Sequence, residues 1–596
     1  MRTLINAEKI DSGSNYNFPD KMEIPKLPRS VFNLGHTVSG TIANAGQIIP
    51  LLWFEYIPGD SIKLSVRHIL RVMPQVVPLF TRQRIFFHAF AMNYGDMQND
   101  FGTLMTKGYT GNVIKHLAQL NTDNLDSDIY NSGSGTVTPD SLADYLGLPQ
   151  GATYADLISS GISAMPFFMY ESIYKYFYMN KNFYINNRNW LPDDVDSFRM
   201  NENGQILSNT DETSEIVTFG KIHYRDYPDD YFTSALPFAQ RGDRPTLPIS
   251  FESSGVFDFS DLSPSFGIVG LHSDKTADFG LLKAQSMATG IQTAQINNAM
   301  NTFTESIGAF GVLPDVTKKY TDAREAQRDA MAYMLNQGIK GNIQTNIGVD
   351  NLRELIREQV ELEKLARTDG SYEEFGLSFF ARKPKTAVDH SPIYLGGTYD
   401  QISFTEVVQT SQSSASSALG QIAGHGISVS NNGYLGSFNA DDFGIIMVVC
   451  TIMPDIYYFQ GIDRKWSRKF QSEFFLPERS KLGLQPIYNK ELFFTGTKAT
   501  DEDLFGYQNP FDDLRYMRNR ICGKLADSSN LSFYPYTQAR KFTETPTLSQ
   551  SFAIADDVRK DYLFAPEEDA YSFNCTFDIR AVRALPYKPV PNNFGF

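Results

Sequence analysis

The sequence predicts a mainly β protein, an antiparallel eight-stranded jelly-roll sandwich interrupted by long, partly helical loop insertions. Three observations carry that expectation. Strand-like runs cluster towards the two ends of the 596-residue chain, over 41–94 and after Gly436. The stretch between them carries helical periodicity and irregular polar sequence. Aromatic residues make up 13% of the chain, with 45 Phe and 31 Tyr, and such side chains suit pleated, half-buried surfaces and large interfaces. Pairing the two ends in one sandwich and passing the middle out through its loops is the economical arrangement.

Residues 1–35 are polar and carry Pro19, Pro25 and Pro28, which fits an extended N-terminal arm. The core is expected over 36–94 and 436–596, with 95–435 inserted. Runs 47–57, 61–73 and 83–94 are apolar, β-branched or aromatic, with Pro58-Gly59-Asp60 and the stretch from Pro74 to Pro78 as turns between them. They read as three antiparallel strands. In the second, Ile62, Leu64, Val66 and His68 share one face while Lys63 and Arg67 point to the other.

In the inserted middle, Thr138 is placed as a helix N-cap with Pro139 at the first helical position, and Gly147 closes the helix. A second helix follows Pro166, with Phe167, Tyr170, Ile173, Tyr174, Phe177 and Tyr178 along one stripe. A third runs over about 351–367, where Glu363 can support Arg367. Residues 251–341 are rich in Ala, Gln, Asn, Ser and Thr, with alanine-rich helical patterns near 281–300 and 318–336. Being poor in large aliphatics, this stretch is expected to be a variable surface insertion. Strand character then returns. Residues 443–453 form a continuous apolar run, the signature of a strand buried on both faces. Over 572–584, Phe573, Cys575, Phe577, Ile579 and Ala581 face one way and Asp578, Arg580 and Val582 the other.

Charged residues at 20% and hydrophobic residues at 42% exclude a disordered chain, and 43 Gly with 29 Pro exclude a collagen-like one. Lys and Arg number 53 against 68 Asp and Glu, giving −15. Such a chain is not expected to bind nucleic acid over its whole surface, although one basic face is compatible with it. Cys450, Cys522 and Cys575 are odd in number and widely spaced, which predicts a reducing compartment and no disulfide framework. The opening MRTLINAEKI lacks a signal-peptide core, and the longest apolar run is too short to span a bilayer. A soluble, cytoplasmically made protein is expected.

Catalytic signatures are sparse. His36, His68, His88, His116, His223, His272, His390 and His425 show neither His-x-His nor His-Glu-x-x-His spacing, and there is no Gly-x-Ser-x-Gly elbow. No metal, cofactor or catalytic residue is expected. Gly424-His425-Gly426 lacks the rest of a dinucleotide fingerprint and reads as a flexible loop, and Arg241-Gly242-Asp243 as a tight surface turn. Asn574-Cys575-Thr576 matches a glycosylation acceptor but falls in a predicted strand. One segment has nucleic-acid chemistry. Within 463–470, Arg464, Lys465, Arg468 and Lys469 are interleaved with Trp466 and Phe470, the composition that grips single strands by charge and stacking. The bland reading is a solvated loop anchored by Trp466.

Several segments together resemble a known family. They are NAGQIIPLLWFEYIPGDSIKL at 44–64, SLADYLGLPQG at 141–151, DYFTSALPFAQRG at 230–242, YLGGT at 394–398 with EVVQTS at 406–411, and QGIDRKWSRKF at 460–470. FGYQNPFDDLRYMRNRICGKL at 505–525 and RAVRALPYKPVPNNFGF at 580–596 extend the series. In this order they resemble the major capsid protein of the Microviridae, with the gokushovirus-like branch the nearer likeness. The resemblance implies a jelly-roll shell subunit of a small bacteriophage, about sixty copies of which close a T=1 icosahedron. It also implies packaged circular single-stranded DNA, a small basic DNA-binding phage protein, a scaffolding protein, a DNA pilot protein and a bacterial surface receptor. Residues 251–341, where the likeness lapses, sit where the family carries a surface protrusion. The competing classes are a jelly-roll metalloenzyme and a carbohydrate-binding protein. Both are disfavoured by the missing histidine spacing and the missing secretion signal.

Overall fold

The computed structural model describes residues 29–98, 101–106, 117–120, 135–180, 182–183, 220–243, 245, 268–271, 277–280, 349–368, 372–383, 391–408, 410, 422–481 and 483–587. The chain divides into two units, one made of Met1–Gly242 with Leu362–Phe596 and the other of Asp243–Glu361. In the second unit, β6 (Ile268–Leu271) and β7 (Ala277–Gly280) pair as an antiparallel hairpin. The two alanine-rich helical patterns lie outside the described residues, as do residues 1–28 of the predicted arm.

The first unit is built on one long antiparallel sheet. Its N-terminal strands are β1 (Ser30–Asn33), β2 (His36–Ile42), β3 (Ile49–Tyr56), β4 (Ser61–Val72) and β5 (Gln83–Asn93). Its later strands are β8 (Ile393–Val408), β9 (Ile422–Asn439), β10 (Gly444–Pro454) and β13 (Tyr571–Arg583), while β11 (Gln485–Tyr488) and β12 (Leu504–Gln508) form a small separate sheet. The order is β1-β13-β4-β9-β8-β5-β10-β3, with β2 also on β13. β1 and β2 lie end to end along β13, so nine strands occupy eight lateral positions.

The sheet folds over on itself at β8. Residues 393–402 of that strand pair with β5, and residues 403–408 pair with β9. The apolar alternation of β4 and β13 therefore faces that of β5 and β10 across one core. Ile62, Leu64, Val66, Phe573, Cys575, Phe577 and Ile579 pack with Ile85, Phe87, Ile446, Val448 and Ile452. This is a jelly-roll-like sandwich with helical insertions, the fold class expected. Cys450 and Cys575 are buried in the same core, where burial raises both thiols, that of Cys575 to about 12, so they pack as small neutral groups.

β10 is buried at all eleven positions, and the helices explain why. Its alternate residues Ile445, Met447 and Val449 turn away from the sandwich and join a second cluster with Tyr94, Leu142, Met165, Phe167, Tyr170 and Ile173. A helical layer thus covers the outer face of β5 and β10. The helix Met165–Ile173 begins with Pro166 as expected and runs into a π-turn at Tyr174–Tyr178. Five of its six predicted stripe residues are buried, and Phe177 is exposed. A third cluster gathers Tyr231, Phe232, Tyr458, Ile487, Leu492 and Phe505 around the small sheet.

Four expectations need correction. First, β3, β4 and β5 are strands of an antiparallel sheet as expected but are not mutual neighbours: β10 lies between β3 and β5, and β9 and β8 lie between β4 and β5. Second, β8 and most of β9 belong to the sheet, although the sequence places 95–435 in the insertions, and Ser30–Asn33 of the arm is β1. Third, Gly424-His425-Gly426 is strand, not flexible loop. A Cβ at Gly426 would meet Val72 at 2.5 Å and Phe404 at 2.8 Å, so glycine is needed for close packing. Fourth, the cap of the helix Leu142–Tyr145 is Ser141, whose hydroxyl accepts from the Asp144 amide, while the Thr138 carbonyl accepts the Ser141 hydroxyl and amide. Asp140 at φ +60 explains the slip, because the chain reverses once more before the helix starts. Among the described residues no helix is long and apolar enough to cross a membrane.

Candidate nucleic-acid interface

Residues 463–470 follow β10 and begin with a single helical turn, Arg464–Ser467, entered from Asp463. The turn sorts the five predicted residues into two groups. Arg464 points inward. Its Nη1 donates to the Pro486 carbonyl at 2.9 Å and lies 3.6 Å from Oε1 of Glu491, whose side chain is 2% exposed. Tyr231 donates to the other Glu491 oxygen at 2.7 Å. Burial raises the Glu491 carboxyl above its ordinary range, against the pull of Arg464. Arg468 is likewise turned in, paired with Asp513. Arg464 therefore braces the edge of the third cluster at Pro486 and Glu491, and Arg468 ties the loop to Asp513.

The remaining residues point out. Trp466 is 75% exposed and Phe470 is 68% exposed. Lys469 is exposed, and Lys465 is exposed but bonds Asp463 at 3.0 Å. Burial alone would raise Asp463; hydrogen bonds from Lys465 and Arg518 outweigh it and hold that carboxyl below its usual value. Trp466 is not the anchor of this loop. Arg464 and Arg468 are.

The other motifs are structural. Arg241 of the Arg-Gly-Asp tripeptide donates to the Leu365 and Thr368 carbonyls at 3.1 and 2.9 Å and to Asn182 at 2.6 Å, with Gly242 at φ +94 making the turn. Asn574 donates to Ser39 within the sheet at 2.5 Å. His68 is buried against Ser428, and His88 is held near pKa 4 by burial and then by Arg225. Among the described residues no group of three His, Cys, Asp or Glu is placed to hold a metal ion.

A second cationic surface was not singled out by local composition. The outward positions of β4 and β13 bear Lys63, Arg67, Arg71 and Arg580. Their signal lay in the strand alternation that sets Lys63, Arg67 and Arg580 opposite the core face, not in any run of charge.

A sandwich whose loops and one open face present aromatics and cations, with an ordered core beneath, has the build of a structural protein that assembles through its surface. The comparisons give that class its family. Residues 21–592 match the capsid protein (F protein) family of phages, and the chain belongs to that family. It is 23% identical to capsid protein VP1 of Chlamydia phage 1, covering 96% of each chain. It is 24% identical to capsid protein VP1 of Bdellovibrio phage phiMH2K, over 98% of this chain and 99% of the relative. With capsid protein VP1 of Spiroplasma virus 4 it shares 22% identity over 90% of each. The protein is a phage capsid protein, a component of the virion that associates with copies of itself to form the shell.

Proposed function

We propose that the chain is the major shell subunit of a small single-stranded DNA phage and that about sixty copies close a T=1 particle around the circular genome. The observation that supports this most is the amount of large apolar side chain left in solvent. Met517 is 94% exposed, Phe564 and Leu531 80%, Trp466 75% and Phe380 71%. Aromatic residues and Met are the types enriched in protein interfaces, and a subunit with several symmetric contacts carries them on its outside. On the helix Val349–Ala366, Leu352, Ile356 and Val360 repeat every four residues and are each about half exposed, a stripe suited to a helix of another copy.

Sixty copies at −15 each give roughly −900 of formal charge around a polyanion, which has to be offset locally. A small, very basic internal protein meets that need. A scaffolding protein and a DNA pilot protein would act in assembly and delivery, and assembly would take place in the bacterial cytoplasm. Residues 251–341 would project outward and meet a host receptor. Electron microscopy of lysates from infected cells tests the shell reading. Uniform closed particles containing this chain are expected, and stable monomers alone would overturn it. Replacing 251–341 by a short Gly-Ser loop tests attachment: particles that form but no longer adsorb support it, and loss of all assembly sinks it.

A further inference from the structure

The two outer faces of the sandwich are treated differently. The face of β5 and β10 lies beneath the helical layer. The outer face of β4, β9 and β13 is open, with Ile69 45%, Val429 54% and Tyr434 59% exposed. Its outward residues are Lys63, Ser65, Arg67, Ile69 and Arg71 on β4, and Asn574, Thr576, Asp578 and Arg580 on β13. Thr37 and Ser39 continue the hydroxyl-bearing surface on β2, opposite Thr576 and Asn574.

The charge on this face runs against that of the whole chain. Arg67 bonds Asp578, the one carboxylate on those strands' outward positions, at 2.9 Å. Lys63, Arg71 and Arg580 form no ion pair among the described residues. Lys63 and Arg580 are direct cross-strand partners, a like-charge pairing that weakens a sheet unless something neutralises it. Along β4, Lys63, Arg67 and Arg71 recur every four residues, about 13 Å apart at the rise of a strand. Beside them Tyr434 stands next to Ser65, an exposed ring on a row of cations.

We propose that this open face is a binding surface for single-stranded nucleic acid, with Lys63, Arg71 and Arg580 taking phosphates and Tyr434 stacking on a base. Spaced cations, hydroxyl and amide donors for backbone oxygens and one exposed aromatic are the chemistry of sequence-tolerant strand binding. An obligate protein interface would need a larger apolar centre than Ile69 and Val429 supply. The inference rests on the reading of the chain as a genome-enclosing shell subunit and names the surface that reading requires.

The test uses the full-length subunit and fluorescent oligo-dT, with affinity measured against salt. The triple variant Lys63→Gln, Arg71→Gln, Arg580→Gln is expected to lower the slope of log affinity on log salt by about 2, since each lost phosphate contact on a single strand removes about 0.7. Lys469→Gln should leave the slope unchanged. Thermal melting confirms that the exposed-site variants fold. An unchanged slope in the triple variant overturns the proposal. So does a triple variant that still binds oligo-dT but no longer forms particles, because the face then meets an acidic surface of another copy. In purified particles, ultraviolet cross-links to the genome are expected at Tyr434, and cross-links confined to Trp466 overturn the proposal. If the wild-type chain binds oligo-dT through this face yet never forms shells, the shell reading fails and the binding face stands.

Discussion

Residues 463–470 and the outer face of β4 and β13 each carry four cations, and they put them to opposite uses. In 463–470 the local density is higher, yet Arg464 and Arg468 turn inward to Glu491 and Asp513. On the sheet the cations are dispersed along two strands, yet only Arg67 has an acidic partner among the described residues. Local density of charge is therefore a poor guide to available charge. What decides availability is whether the element's other side has a core to complete, and a strand's alternation declares that while a one-turn helix does not.

The largest expected effect separates the covered face from the open one. Ile445→Ala on β10, beneath the helical layer, should cost about 2–5 kcal/mol, whereas Ile69→Ala on β4 should stay within about 0.5 kcal/mol, read by urea denaturation. Equal costs would mean that the β4 face is covered after all. Next comes the inward arginine. Arg464→Met removes the main counter-charge of the buried Glu491 carboxyl and should cost about 3 kcal/mol, against less than about 0.5 kcal/mol for Lys63→Gln. A cost below about 1 kcal/mol for Arg464→Met would erase the contrast between the two cation groups. Since Glu491 is raised by burial, its contribution is complete below the ordinary carboxylate range and falls away as pH rises through its folded value. The Arg464→Met penalty should accordingly grow from pH 4.5 to pH 7.5.

A smaller pH effect comes from Asp226, lifted from 3.8 to about 7 by burial and then by Asp229. The folded state binds this proton more tightly than the unfolded chain does. Its contribution is therefore full below about 4 and lost as pH rises through about 7. Asp226→Asn should flatten the fall in melting temperature between pH 5 and pH 8, and an unaltered profile would show that this carboxyl does not set it. The smallest effect is Trp466→Ala, expected within about 0.5 kcal/mol because the ring is exposed and the inward arginines hold the loop. A loss above about 2 kcal/mol would restore Trp466 as an anchor.

Alternation in β4 and β13, the unbroken apolar run of β10 and the helical stripe after Pro166 were legible in the sequence, because each records how an element is buried within a dozen residues. The capsid class was legible too, through short segments in a shared order. The partners of side chains were not. Arg464 meets Glu491 and Tyr231, which lie 27 residues after it and 233 before it, and no local pattern encodes that meeting. β9 was also missed, since Gly, Ser and Asn give it the composition of a loop, whereas β8, rich in Ile, Val, Thr, Tyr and Phe, carried a strand signal that went unread. The glycines there serve the fold of the sheet: a Cβ on Gly436, at φ +145, would sit 2.7 Å from the Leu395 carbonyl oxygen, and one on Gly396 would strike that of Leu435. Periodicity fixes which face of an element is buried. Only the tertiary structure decides what covers it, because cover comes from residues far along the chain, and that is why one face of this sandwich is sealed by helices and the other keeps its cations in solvent.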